Sequence, residues 1–190
     1  MSQAALSRIE QTLAQLCERQ DEILERIAQL DAHAAPAGIP TRREVIAFLD
    51  GFRAFEGLGE TSLGAWIARC TTACLKGGLR TIQMREGMHA HLLEQRIKEL
   101  GATPSFEVPE AQQQELMGCL DSECLSDLEK LQKLVAKYPS VDAVVMPIEA
   151  FAARLTDDLE TQSLLQTIAQ DERSSTSFLI DACTQLSGRA

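Results

Sequence analysis

Two stretches of this chain carry the same pattern: residues 79–93 read LRTIQMREGMHAHLL, and residues 165–179 read LQTIAQDERSSTSFL. Apolar residues recur every three or four positions in both, which predicts two helices that each bury one apolar face. Aligned without gaps, the stretches place Glu86 opposite Glu172. Both glutamates fall on the apolar face, so both are expected to point inward.

The first stretch adds a histidine to this face, because His89 follows Glu86 by three residues. The second stretch has Ser175 at the corresponding position. An ionised carboxylate in apolar surroundings is costly unless it is paired, protonated or bound to a metal. The two inward glutamates therefore indicate a functional site.

Composition limits the class of protein. The 190 residues suffice for one domain with a short appendage. A net charge of -10 and a pI near 4.8 argue against binding nucleic acid or an anionic membrane. No signal-peptide pattern and no long apolar run are present, so a cytoplasmic protein is expected. Its six cysteines form no CxxC pair, which favours reduced thiols.

Residues 1–33 have the heptad pattern of a coiled coil. The positions that carry it alternate spacings of three and four and are apolar except for one glutamine: Leu6, Ile9, Leu13, Leu16, Gln20, Ile23, Ile27 and Leu30. This segment predicts a homo-oligomer, and the alternative is a helix packed on its own domain. Residues 34–40 contain two prolines and a glycine and are predicted to form a linker.

Residues 41–190 are predicted to form a helical bundle. A capping box at Thr41 opens the first helix, for which a break is expected near Gly57. A turn at Thr71 and Thr72 leads into the long second helix, which Gly101 stops.

The second half of the bundle follows a long connection. Residues 102–140 form this crossover and contain a predicted helix from about Ser122 to Tyr138. A shorter helix, bent or started by Pro147, comes next, and Asp157 caps the final helix. The result is an all-α, pseudo-twofold four-helix bundle of two helical hairpins.

This arrangement resembles the ferritin-like superfamily, particularly its rubrerythrin-like members, over about residues 41–101 and 141–187. The resemblance implies a ferritin-like four-helix bundle with a site for two iron or manganese ions. Such a site takes one carboxylate from each of two helices and a Glu-x-x-His from each of the other two. Glu86 and His89 match the first Glu-x-x-His, and Glu172 matches the second glutamate.

The carboxylates of the other two helices remain open at this point. On the first helix, Glu56 and Glu60 share a face, and symmetry about the turn places Glu60 nearer the level of Glu86. On the third helix, Asp142 has the same sequence separation from Glu172 as Glu56 has from Glu86. The family resemblance instead favours Glu149, which lies one position off the apolar stripe.

Two classes of function follow. In the first, the chain is a di-iron oxidoreductase or iron-handling protein that reacts with dioxygen or peroxide, with electrons that come from another protein or from the metal itself. An intermediate version binds a single metal through Glu86, His89 and Glu60. In the second class, the chain is a metal-free oligomeric interaction or regulatory module. Its buried glutamates then stay protonated or pair with arginines, for which the candidates are Arg80, Arg85 and Arg173.

Overall fold

A computed structural model describes residues 38–138 and 140–188. The chain divides into two units, Met1–Gly38 and Ile39–Ala190. The predicted coiled coil of residues 1–33 and most of the predicted linker lie outside the described residues. Within the described residues every regular element is a helix, which confirms the all-α prediction.

Six helices follow one another along these residues: α1 Arg42–Arg69, α2 Ala73–Glu99, α3 Glu110–Leu120, α4 Asp127–Lys137, α5 Val141–Ala153 and α6 Leu159–Ser187. Helix α1 packs on α2, and α5 packs on α6, while α2 and α6 join the two hairpins. None of these described helices is both long enough and apolar enough to cross a bilayer.

Helix α1 starts as predicted but does not break where a break was expected. Thr41 and Glu44 form the complete capping box. The helix then continues through Gly57 without interruption. A glycine inside a helix costs only about 1 kcal/mol, and α1 offsets this by burying a whole face that includes Leu49 and Trp66. The predicted break near Gly57 is therefore wrong.

The turn between α1 and α2 is tied to α4 by one carboxylate. Asp127 accepts hydrogen bonds from the Trp66 indole N–H at 2.8 Å and from the backbone N–H groups of Thr71 and Thr72 at 3.0 and 2.9 Å. Burial by itself would raise the pKa of Asp127, but the hydrogen bonds from Thr72 and Trp66 outweigh it and lower the pKa to about 2. This end of the bundle therefore depends on an ionised aspartate.

The connection between α2 and α4 runs along most of α1. Near the start of α1, Asp50 accepts from the backbone N–H groups of Ser105 and Phe106, both at 2.8 Å. At the end of α1, Arg69 pairs with Asp121 at 2.7 Å. The crossover thus returns the chain to the end of the bundle from which α2 started.

This crossover contains two helices instead of the single one predicted from about Ser122 to Tyr138. Helix α3 is an addition, and its polar sequence buries only Leu120. Helix α4 begins later than predicted because Ser126 and Glu129 form a capping box there. Helix α6 also begins later than predicted, by one residue. Asp158 and not Asp157 caps it by accepting from the Thr161 N–H at 3.0 Å.

Helices α4 and α5 together form one side of the bundle. Their contributions to the two apolar clusters of the core show this. The Trp66 cluster contains Leu63, Trp66, Leu79 and Leu131, and the Leu49 cluster contains Leu49, Leu93, Val145 and Leu165. Helices α1, α2 and α6 contribute to both clusters, whereas α4 contributes only to the first and α5 only to the second. The third side of the bundle is therefore built in two pieces.

A polar layer separates the two clusters. On each long helix it lies between the cluster members: Glu56 between Leu49 and Leu63, Glu86 and His89 between Ile82 and Leu93, and Glu172 between Ala169 and Phe178. On the third side, the same level falls between Leu134 of α4 and Val145 of α5. Four of the polar residues singled out from the sequence, Glu56, Glu86, His89 and Glu172, thus come to one level of the bundle.

Candidate metal centre

Three helices bring ligand atoms together in this layer. Glu56 of α1, His89 of α2 and Glu172 of α6 each offer one such atom, and these atoms all lie within 4.8 Å of one another. The side chains are shielded from solvent, with exposed fractions of 4% for Glu56, 2% for His89 and 13% for Glu172. A carboxylate, an imidazole and a second carboxylate therefore converge at a buried point.

His89 has both ring nitrogens among carboxylates. Its Nδ1 lies 3.1 Å from Glu56 Oε2 and 3.5 Å from Glu172 Oε1, and its Nε2 lies 3.2 Å from Asp171 Oδ2. A neutral imidazole carries one proton, and the N–H that donates to Asp171 would be at Nε2. In that tautomer the Nδ1 lone pair faces the two other carboxylates, an arrangement that a proton or a cation at Nδ1 stabilises.

Glu172 is incompletely satisfied. Its Oε1 is buried and has no hydrogen-bond partner. Leaving a buried acceptor unpaired costs about 1–3 kcal/mol, and more when the group is charged. The unpaired oxygen points toward the His89 Nδ1 at a distance longer than a hydrogen bond of good geometry, so it is available as a ligand.

The spacing of these atoms suits a transition-metal ion. With metal–ligand bonds of about 2.1 Å, two ligand atoms lie about 3.0 Å apart at an octahedral angle and about 3.4 Å apart at a tetrahedral angle. The observed separations from His89 Nδ1 are 3.1 and 3.5 Å. These two separations match those of ligands on one ion, and the Glu56 and Glu172 ligand atoms lie within 4.8 Å of each other.

Glu86 lies beside Glu56, in space that is open because Gly59 of α1 has no side chain. The Glu86 Oε2 lies so near Gly59 that a Cβ at that position would clash with it. The exchange is mutual, because a Cβ at Gly87 would lie 2.6 Å from Glu60 Oε1. A glutamate of each helix thus packs over a glycine of the other helix. Glu60 remains exposed, whereas Glu86 turns toward the centre.

Burial and mutual repulsion keep protons on these glutamates. Burial foremost, then the charge of Glu172, raises the pKa of Glu56 well above its usual value. Burial, followed by the charges of Glu56 and Glu172, has the same effect on Glu86, which shares a hydrogen bond with Glu56. Burial also raises the pKa of Glu172. Without a bound cation, the cluster therefore retains protons that exposed glutamates would lose.

Arg85 closes the cluster on the side of α6. Its Nε lies 3.5 Å from Asp171 Oδ1, and its Nη1 donates to Ser175 Oγ at 3.2 Å. Ser175, which stands where the repeat would have a second histidine, is buried and engaged by this arginine. Asp171 was missed at the sequence level because it lies one position off the apolar stripe. The only available signal was its place directly before Glu172.

The remaining predicted ligands lie outside the cluster. Glu60 is exposed and packs over Gly87. Asp142 and Glu149 are exposed on α5, and both face Arg173, at 3.6 and 3.0 Å. The structure therefore joins Glu56, Glu86, His89 and Glu172 and leaves the other three carboxylates at the surface.

Comparison of the chain with protein-family models, curated proteins and solved structures found no match. Function is therefore inferred from the geometry and electrostatics of the centre.

Proposed function

We propose that this protein is a ferritin-like iron protein in which Glu56, His89 and Glu172 hold one transition-metal ion. The observation that carries the proposal is the buried Glu172 Oε1, which lacks a hydrogen-bond partner and lies 3.5 Å from the His89 Nδ1. A cation between these atoms satisfies the oxygen and the nitrogen together.

The charge of the layer supports a cation. Glu56, Glu86 and Glu172 bring three carboxyl groups into the interior, while the nearest guanidinium, that of Arg85, is engaged by Asp171 and Ser175. Buried carboxylates without counter-charge are costly. Binding a metal ion stabilises their ionised forms, and it releases the protons that they otherwise keep.

The order of the elements supports the ferritin-like part of the proposal. Two helical hairpins are joined by a crossover that runs along α1. One carboxylate comes from α1, a Glu-x-x-His from α2 and a further glutamate from α6. Carboxylate-bridged bundles have this ligand pattern together with a second histidine and a carboxylate from the fourth side of the bundle. In this chain other residues stand at those two positions.

The same group of ligands predicts that two ions would bind with unequal affinity. The first ion has Glu56, His89 and Glu172 as ligands. A second ion would have only Glu86 and the other oxygen of Glu56, which can bridge two metals. Because fewer protein ligands hold it, the second ion is expected to bind more weakly.

The residues around the ion suit oxygen chemistry. Glu56, His89 and Glu172 would leave a bound iron ion with open positions, and the ion would supply electrons to dioxygen or peroxide. Asp171 holds the His89 ring in one orientation through Nε2, as partners of metal-bound histidines commonly do. The Trp66 and Leu49 clusters cover the layer from both ends and restrict water.

Metal analysis of the full chain tests this function. The protein is stripped with a chelator, reloaded with ferrous ion without oxygen, desalted and analysed for iron. We expect about one ion per chain, because a structured site retains near-stoichiometric metal. Glu172→Gln is expected to lose most of the iron, and Glu60→Gln, which changes an exposed glutamate outside the cluster, is the matched control.

Two results contradict the proposal. One is a parent protein that retains less than about one-tenth of an ion per chain. The other is equal iron in the parent and in Glu172→Gln. Either result favours the metal-free module, in which His89 contacts Glu56, Asp171 and Glu172 without an ion between them.

A further inference from the structure

Two methionines of α2, Met84 and Met88, lie on the protein surface. Their side chains are 71% and 58% exposed. Methionine is an apolar residue that usually fills gaps in a core, yet neither residue belongs to the Trp66 cluster or to the Leu49 cluster. Packing in the core therefore does not account for this pair.

A histidine lies on the same face of the helix. Successive residues of an α-helix are about 100° apart around its axis, so Met84, Met88 and His91 fall within an arc of about 60°. Along the axis, about 6 Å separates Met84 from Met88 and about 4.5 Å separates Met88 from His91. His91 is exposed as well, whereas His89 is buried on another face. Two thioether sulfurs and an imidazole are thus surface neighbours, each one helical turn from the next.

The carboxylates nearest to these residues along α2 are engaged elsewhere. Glu86 turns inward and shares a hydrogen bond with Glu56. Glu94, the first carboxylate after His91, pairs with Lys98. The exposed face therefore offers a set of metal-binding atoms without an anionic oxygen.

We propose that Met84, Met88 and His91 form a surface site for one copper(I) ion. Thioether sulfur is a soft ligand that selects copper(I), and imidazole also suits copper. Manganese, calcium and magnesium instead favour carboxylate and other oxygen ligands, which this set lacks. Methionine is unbranched and flexible, so both sulfurs can turn toward an ion held above Met88.

The binding step involves no electron transfer. The copper stays monovalent, and the two sulfurs and one nitrogen of the neutral imidazole each donate a lone pair as water ligands leave the ion. Because the three side chains are exposed, the ion can enter from solvent and return to it. The site is independent of the buried centre, and its chemistry is reversible copper(I) binding.

The test observes the methionines directly, because thiolates also bind copper(I) and both Cys74 and Cys124 are exposed. The full chain is labelled with carbon-13 at the methyl groups of its five methionines, and single Met→Leu variants assign their resonances.

Copper(I) is then added to the labelled protein without oxygen. We expect the resonances of Met84 and Met88 to shift together and to saturate. The resonance of Met146, which is 61% exposed on α5, should stay in place. Met84 and Met88 resonances that do not move, or that move no more than the Met146 resonance, overturn the site.

The amount of bound copper is a second readout. The double variant Met84→Leu with Met88→Leu keeps apolar side chains of similar volume and removes both sulfurs. In competition with a copper(I) chelator, it should retain about one ion per chain fewer than the parent, and His91→Gln should release this ion at a lower chelator concentration.

The matched control is Met146→Leu, which should retain the parental amount of copper. Equal copper in the parent and in the double variant means that the cysteines hold all of it, and this result overturns the proposal whether or not the protein binds iron.

Discussion

The Glu86 carboxyl of α2 fills the space above Gly59 of α1, where any larger residue would have a side chain. From this position Glu86 shares a hydrogen bond with Glu56. A glycine in the middle of a long helix thus leaves the space that Glu86 occupies in the candidate metal centre.

Adding one methyl group at this position is expected to disturb the centre. Gly59→Ala forces Glu86 to move, which removes its hydrogen bond to Glu56 and weakens iron binding about tenfold, an effect typical of lost partners of metal ligands. Isothermal titration with ferrous ion measures the change. Gly57→Ala is the control, since a Cβ there meets no atom within 4 Å.

The control has its own expected outcome. Gly57→Ala should keep the iron affinity and raise the free energy of unfolding by about 0.5–1 kcal/mol, because alanine favours the helix more than glycine does. Equal iron affinity in the two alanine variants would show that the position of Glu86 does not matter for the ion.

Asp171 is expected to act through His89. Asp171→Asn keeps the shape of the residue but weakens the acceptor for the imidazole Nε2, now 3.2 Å from the carboxylate. Iron affinity should fall by about 10–100-fold with unchanged stoichiometry at saturation. Glu149→Gln, which alters an exposed partner of Arg173, should leave the affinity unchanged. An Asp171→Asn protein with the parental affinity would exclude this positioning role.

Metal binding is expected to strengthen as pH rises. Burial foremost raises the pKa values of Glu56 and Glu86, so the metal-free folded protein keeps protons that the unfolded chain loses near pH 4.3. The stability from these groups is complete below that pH and declines as pH rises toward the raised pKa values. Bound metal removes this decline.

This increase of metal binding with pH is checked by melting temperatures. They are measured anaerobically with and without ferrous ion, from pH 5 upward. The difference between the two should widen with pH, since metal competes with protons for the same oxygens. A difference that stays constant over this range would mean that the glutamates are already ionised in the metal-free protein.

Asp127 predicts a second pH effect of opposite sign. Its pKa is lowered from 3.8 to about 2, because hydrogen bonds from Thr72 and Trp66 outweigh the effect of burial. The stability from this group is therefore present above pH 3.8 and is lost as pH falls toward 2. Asp127→Asn should reduce the free energy of unfolding by about 2 kcal/mol at neutral pH and by little near pH 2.

Denaturant unfolding at both pH values measures this difference. Asp142→Asn is the matched control, because its exposed carboxylate lies 3.6 Å from Arg173 and such surface pairs contribute little. A constant deficit for Asp127→Asn at both pH values would indicate lost packing instead of a lost charge.

Apolar periodicity was sufficient to predict the helices that carry the centre. Glu86, His89 and Glu172 interrupt regular apolar stripes, so the sequence alone places them inward. Glu56 and Glu60 share a helical face, and the structure distinguishes them, because Glu56 is buried 3.1 Å from His89 Nδ1 whereas Glu60 is exposed and packs over Gly87. The local sequence pattern thus predicts which helices contribute to the polar layer, but it does not decide between two glutamates one helical turn apart.

The features that were missed lack a periodic signal. Helix α3 is rich in glutamine and buries a single leucine, so no apolar stripe marks it. Asp171 reaches His89 from one position off the stripe, and its role depends on the direction of the Nε2 atom.

The most direct test of the metal centre is anomalous diffraction at the iron edge from crystals loaded with ferrous ion. We predict a strong peak within bonding distance of Glu56 Oε2, His89 Nδ1 and Glu172 Oε1, at the point where these atoms converge. Fully loaded crystals with no peak there, or with the iron bound to surface residues instead, would contradict it.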